Sequence, residues 1–112
     1  MIQIFGKSKC FDTQKAQRYF KERGMKVQSI DLLRYGISRG ELLSVKQAVG
    51  GIEALVNAKH PSAAELAYLA IEQDKLERLL DCPAMLATPI VRNGKKATVG
   101  YKPEVWAAWE QQ

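Results

Sequence analysis

Two thiols, one imidazole and a late group of basic residues are the side chains of this 112-residue sequence with chemistry to offer. Cys10 stands between an apolar run, Ile2-Gln3-Ile4-Phe5, and a polar-apolar repeat that opens at Asp12 and Thr13. Where a strand gives way to a helix, a thiol faces backbone N–H groups and the positive end of the helix dipole, and both favour the thiolate. Lys7, Lys9 and Lys15 add positive charge nearby. A thiol so placed is expected to have a lowered pKa and to be nucleophilic near neutral pH. The other reading of the same residue is a small, inert, buried side chain. Cys82 follows Leu79 and Leu80 and precedes Pro83, a setting without an activator. It reads as core filling, unless it lies close enough to resolve a mixed disulfide on Cys10. His60 precedes Pro61 in a polar stretch and reads as a loop residue. Arg92, Lys95, Lys96 and Lys102 can hold an oxyanion or carboxylates if they share one end of a sheet with Cys10; otherwise they form a solvated basic hairpin. No spacing of Cys and His suggests a metal site.

The elements that must position these groups follow from periodicity and punctuation. Ile2 to Phe5 reads as a strand, and Asp12 or Thr13 as the cap of a helix whose apolar stripe is Ala16, Tyr19 and Phe20 and whose stop is Gly24. Met25 to Leu32 reads as a second strand, giving a β-α-β unit with parallel pairing. Ser38-Arg39-Gly40-Glu41 has capping-box spacing and opens a helix carrying Leu42, Val45 and Val49 that ends at Gly50-Gly51. A short turn is expected within Gly51 to Asn57. Ser62 to Glu65 repeats the capping-box spacing before Leu66, Leu69 and Ala70, and a further helix holds Leu76, Leu79 and Leu80. Thr88 to Val91 and Ala97 to Tyr101 flank Asn93-Gly94, the dipeptide best suited to a tight hairpin. Pro103 then opens a closing helix in which Val105, Trp106 and Trp109 cover a sheet face.

The order β-α-β, helices, β-β-α is the thioredoxin arrangement: a mixed four-stranded sheet, in one domain spanning residues 1–112, with a helical insertion at residues 38–83. Thioredoxin folds place a cis-proline opposite the active cysteine, and Thr88-Pro89 stands at the start of the third strand. Hydrophobic residues are 46% and charged residues 26%, as in a globular domain, and no stretch is apolar enough to span a bilayer. The start, MIQIFGKSK, lacks the order of a signal peptide, so the cytoplasm is expected, where two cysteines remain free thiols. The net charge of +5 is uneven. Residues 1–40 and 91–112 together carry thirteen Lys/Arg against five Asp/Glu, whereas residues 41–90 carry four against seven. Packed together, the two ends favour an anionic substrate or an acidic partner. Without a run of consecutive Lys/Arg or an aromatic-basic sheet, direct nucleic-acid binding is not expected.

"KCFDTQKAQRYFKERG", "SIDL", "ISRGELLSV" and "TPIVRNGKKATVGYKPEVW", with their spacing, resemble the arsenate reductase/Spx family over essentially the whole chain. In that family a cysteine is followed by a basic residue and alanine opening the helix, here Cys10, Lys15 and Ala16; a late strand begins with a residue-Pro-Ile-Val pattern, here Thr88 to Val91; and a glycine-aromatic-basic-Pro-Glu stretch follows, here Gly100 to Glu104. The resemblance implies a catalytic Cys10, no bound cofactor, and glutathione or a glutaredoxin-like protein as reductant. It implies a small oxyanion or thiol substrate contacted by residues drawn from Lys9, Thr13, Lys15, Thr88, Pro89, Arg92 and Lys102. Three arginines hold the oxyanion in arsenate reductases of this type; their places are taken here by Thr88, Lys102 and Asn57. Lysine lacks the planar bidentate fork of arginine, and threonine and asparagine lack the charge. Spx-like regulators commonly carry a Cys-x-x-Cys switch, whose second position is Thr13 here. Three readings follow: an arsenate-reductase-like monothiol oxidoreductase, an Spx-like regulator docking on RNA polymerase, or an inactive relative that keeps the shape.

Overall fold

A computed structural model describes residues 2–110. The chain runs β1 (Ile2–Gly6), α1 (Phe11–Glu22), β2 (Val27–Asp31), α2 (Leu32–Tyr35), α3 (Arg39–Val49), a 3-10 turn at Glu53–Leu55, α4 (Ala63–Ala67), α5 (Glu72–Asp81), a second 3-10 turn at Pro83–Met85, β3 (Ile90–Asn93), β4 (Lys96–Val99) and α6 (Pro103–Glu110). The strands form one sheet in the order β2-β1-β3-β4, with β1 parallel to β2 and the other neighbours antiparallel. This is the expected mixed four-stranded sheet.

Side chains alternate across the central strands, as the pleat requires. Ile2 and Ile4 of β1 and Val91 of β3 join Ala16, Tyr19, Phe20 and Trp106, so that α1 and α6 cover one face. Phe5 and Ile90 join Leu42, Val45, Leu55, Leu66, Leu76 and Leu79 on the other. The helices of residues 38–83 therefore share a core with the sheet, and the two basic ends of the sequence meet within it. Trp106 is fully buried, stacks edge-on with Tyr19 at 5.2 Å and tilts over Phe20 at 5.1 Å, while its indole N–H donates to Thr98 Oγ1 at 2.8 Å.

Several boundaries differ from the sequence reading for local reasons. Cys10 itself, and neither Asp12 nor Thr13, is the N-cap of α1, because Thr13 is drawn into the core over Gly6. The Ser38 capping box forms in full, but Ser62 makes no cap and instead donates its amide to His60 Nδ1 at 3.1 Å. The second strand stops at Asp31, whose carboxylate accepts from Leu33 N at 3.1 Å and starts the unanticipated α2. In the hairpin Asn93 remains paired to Lys96, so the turn is Gly94-Lys95; Gly94 alone has positive φ, at 63°.

Candidate active site

Cys10 is held by its neighbours on both sides. Its amide donates to Lys7 O at 3.0 Å and its carbonyl accepts from Gln14 N at 3.2 Å, which folds Lys7 to Cys10 into a tight loop at the C-terminal end of β1. Thr13, one turn into α1, is buried beneath this loop and takes a long hydrogen bond from Lys7 N at 3.4 Å. No Cβ fits at Gly6: one there would press on the Thr13 methyl and stand 2.8 Å from its hydroxyl oxygen. Glycine at the end of β1 is thus the condition for Thr13, and with it the first turn of α1, to sit against the strand. From sequence alone Gly6 looks like an ordinary loop residue; its signal is only its position between a strand and the cysteine.

Half-buried, the Cys10 thiol feels opposing influences. Burial pushes its pKa up, while hydrogen bonds from the Thr13 and Thr88 side chains and from the Thr13 and Asp12 amides push it down. The hydrogen bonds win, and the thiol ionises below its ordinary value. In the neutral form its S–H donates to the Thr88 carbonyl at 3.6 Å. Without its proton the sulfur can only accept, and the Thr13 and Thr88 hydroxyls and the Thr13 and Asp12 amides are the donors that stabilise it.

Thr88 and Pro89 come from the far end of the sequence. Phe5 pairs with Ile90, so the residues ahead of β3 fall beside the loop that follows β1, and the Thr88–Pro89 peptide bond is cis. The Pro89 carbonyl accepts from Gly100 N at 2.8 Å, which brings Tyr101 and Lys102 to the same end of the sheet. Lys102 is exposed there, and Lys9 is exposed in the Cys10 loop. Lys15 faces the Tyr101 ring, its ammonium 5.7 Å from the centroid. Arg92 lies elsewhere. It pairs with Gln3, three residues back along β1 from Gly6, and donates to Gln3 Oε1 at 2.8 Å in a side-chain row that continues to Gln28. The hairpin turn with Lys95 and Lys96 lies farther still in that direction. The structure therefore brings Lys9, Thr13, Thr88, Pro89 and Lys102 to the Cys10 end and leaves Arg92, Lys95 and Lys96 at the other. The reason is register: the strand that carries Pro89 past the cysteine runs antiparallel to β1 and carries Arg92 away.

Cys82 closes α5, is half-buried and packs against the core beside Leu79 and Met85. Asn57 turns its amide to Met85 O at 2.8 Å and its side chain to Lys59 N at 3.1 Å. A shallow hollow of about 220 Å³ beside Thr13 is lined by Gly6, Ser8, Gln17, Ser29 and Asp31. A hollow of about 730 Å³ between α3 and α5 shares no residue with the cysteine loop. Among the described residues no helix is long and apolar enough to cross a membrane.

A cysteine at the start of α1 facing a residue-proline step on a mixed sheet is the geometry of a thioredoxin-like thiol site, and the model of the ArsC family matches residues 5–109. The chain belongs to the ArsC family. Among its relatives is the global transcriptional regulator Spx 2 of Oceanobacillus iheyensis, 29% identical over 105 residues that cover 89% of this chain and 76% of that one. An arsenate reductase from Vibrio cholerae superposes with a TM-score of 0.84 at 21% identity, over 96% of this chain and 95% of the other. An arsenate reductase (ArsC) related protein from Brucella melitensis gives 0.63 at 20% identity, over 99% and 95%. These two likenesses establish the thioredoxin-like fold. An ArsC-family chain thus has relatives with two kinds of name, reductase and regulator.

Proposed function

We propose that this ArsC-family protein is a thiol oxidoreductase of the arsenate-reductase type, with Cys10 as its nucleophile and glutathione or a glutaredoxin-like protein as its reductant. The observation that carries the reading is the placement of the Cys10 sulfur at the first amides of α1, opposite Thr88. A thiolate there attacks one sulfur of a disulfide, forms the Cys10 mixed disulfide and releases the other sulfur as a thiolate; a glutathione thiolate then attacks the adduct and returns Cys10. With arsenate the thiolate attacks arsenic and an oxygen leaves as water, taking its protons from solvent. Glutathione next attacks the Cys10 sulfur, and the S–As electron pair stays on arsenic as arsenite is released. A second glutathione frees Cys10 from the glutathione mixed disulfide, so that two thiols become one disulfide for each arsenate reduced. Since Arg92 is engaged at the far end of the sheet, anion attraction at the site falls to lysines and amides, which supports a glutathione mixed disulfide over arsenate as the better substrate. The test is reduction of each substrate by wild type and Cys10→Ser, with intact mass locating the glutathione adduct. Loss of turnover and an adduct on Cys10 are expected; turnover that persists in Cys10→Ser contradicts the reading.

The likeness to Spx 2 supports a second reading, a regulator that docks on RNA polymerase. Docking through the basic face survives Cys10→Ala, and a pulldown that recovers no polymerase subunit contradicts it.

A further inference from the structure

Lys7 is the first residue after β1, and its main chain and side chain serve different halves of the site. Its carbonyl accepts from Cys10 N at 3.0 Å, and its amide approaches Thr13 Oγ1 at 3.4 Å. Its side chain crosses to the segment that arrives from α5, where Nζ donates to Ala84 O at 2.9 Å and to Leu86 O at 2.8 Å. Those carbonyls bracket Met85, whose own carbonyl is taken by Asn57 N, while Ala87 N donates to Leu55 O at 2.8 Å. Two residues beyond Leu86 is Thr88, the partner of the Cys10 thiol. A ring of contacts therefore runs from Cys10 through Lys7 to Ala84 and Leu86, on to Thr88 and back to the sulfur. Its members are nearly eighty residues apart in sequence, and Lys7 is the side chain that closes it.

We propose that Lys7 is a positioning residue of the thiol site: its ammonium clamps the segment leading to Thr88 against the cysteine loop and sets the positive charge against which the Cys10 thiolate forms. The proposal rests on the reading of Cys10 as a nucleophile. An ammonium has three N–H donors, and two of them are engaged by the Ala84 and Leu86 carbonyls, which holds the nitrogen in place. The titratable groups facing it are Cys10 from its own loop and Cys82 from the end of α5. Burial lowers the Lys7 pKa, and the Cys10 sulfur, where ionised, raises it; by linkage the ammonium and the Cys10 thiolate favour one another. Lys9 and Lys102, exposed at the same end, make no side-chain hydrogen bond to this segment among the described residues.

The experiment follows Cys10 alkylation against pH, read by mass spectrometry, in wild type, Lys7→Met and Lys7→Arg. In Lys7→Met the apparent pKa of Cys10 is expected to rise by roughly one unit, which slows alkylation about tenfold at a pH below both values. Lys7→Arg keeps the charge and is expected to retain most of the rate. Identical profiles in all three folded proteins overturn the proposal, whereas a wild-type profile at the ordinary thiol value overturns the reading beneath it. If Lys7→Met does not fold, the reciprocal titration decides: by NMR the Lys7 ammonium is expected to titrate lower in Cys10→Ser than in wild type, and an unchanged value overturns the clamp as a charge partner.

Discussion

At the scale of single residues, the reactivity of Cys10 is a contest between burial and a few donors, so small changes to those donors register in its chemistry. Thr13→Val keeps the shape of a buried side chain and removes a hydroxyl that bonds to the sulfur. One hydrogen bond of about 0.5–1.5 kcal/mol corresponds to a roughly two- to tenfold slower alkylation below the thiol pKa; an unchanged rate removes Thr13 from the account. Gly6→Ala forces a Cβ against Thr13 and is expected to cost about 1–3 kcal/mol in denaturant unfolding and to slow Cys10 as well. The pH dependence has a definite sign. A depressed folded-state pKa means that the folded protein releases the Cys10 proton first, so this group's contribution to stability is fully present above the unfolded thiol's pKa and is lost as pH falls through the folded value. Unfolding free energies of wild type minus Cys10→Ser are therefore expected to grow with pH across that window.

At the scale of elements, stability and reactivity separate. The Ser38 capping box starts α3 in the insertion and bonds only within its own first turn, so Ser38→Ala is expected to lose about 1 kcal/mol and leave Cys10 alkylation unchanged. Thr98→Val strands the buried Trp106 indole N–H on the far side of the sheet, at a cost of about 1–3 kcal/mol measured in the same way. Elements were legible in the sequence where one local pattern agreed with the tertiary outcome. The alternation of Ile2 to Phe5, the 3- and 4-residue spacing of Ala16, Tyr19 and Phe20, the Ser38–Glu41 box and Pro103 at a helix start all reappear as read. The misreadings come from contacts that the local pattern does not display. Thr13 leaves its capping role because Gly6 makes room for it in the core, and Ser62 makes no side-chain cap while its amide donates to His60 Nδ1. Asp31 caps α2 with the same Asx geometry that a turn uses, which an Asp before two leucines could have signalled.

For the whole molecule, the sheet order decides which basic residues act together. The parallel β1–β2 pair and the antiparallel β1–β3 pair gather the ends of β1 and β2 with the start of β3, so Cys10, Thr88 and Lys102 share one end while Arg92 is carried to the other. Cys10 with Thr88-Pro89 was legible because motif and fold order coincide; the place of Arg92 was not, since composition shows charge but not register. The summed positive field of the two sequence ends remains, and it is expected to steer anionic disulfides. Reaction of Cys10 with oxidised glutathione should fall more steeply between about 0.01 M and 0.15 M salt than reaction with an uncharged disulfide; parallel slopes contradict steering. All of this depends on the ionisation of one sulfur at the start of α1. Titration of the Cys10 alkylation rate against pH measures it directly: the structure predicts an apparent pKa below that of a free thiol measured alongside, and a value at or above it contradicts the account.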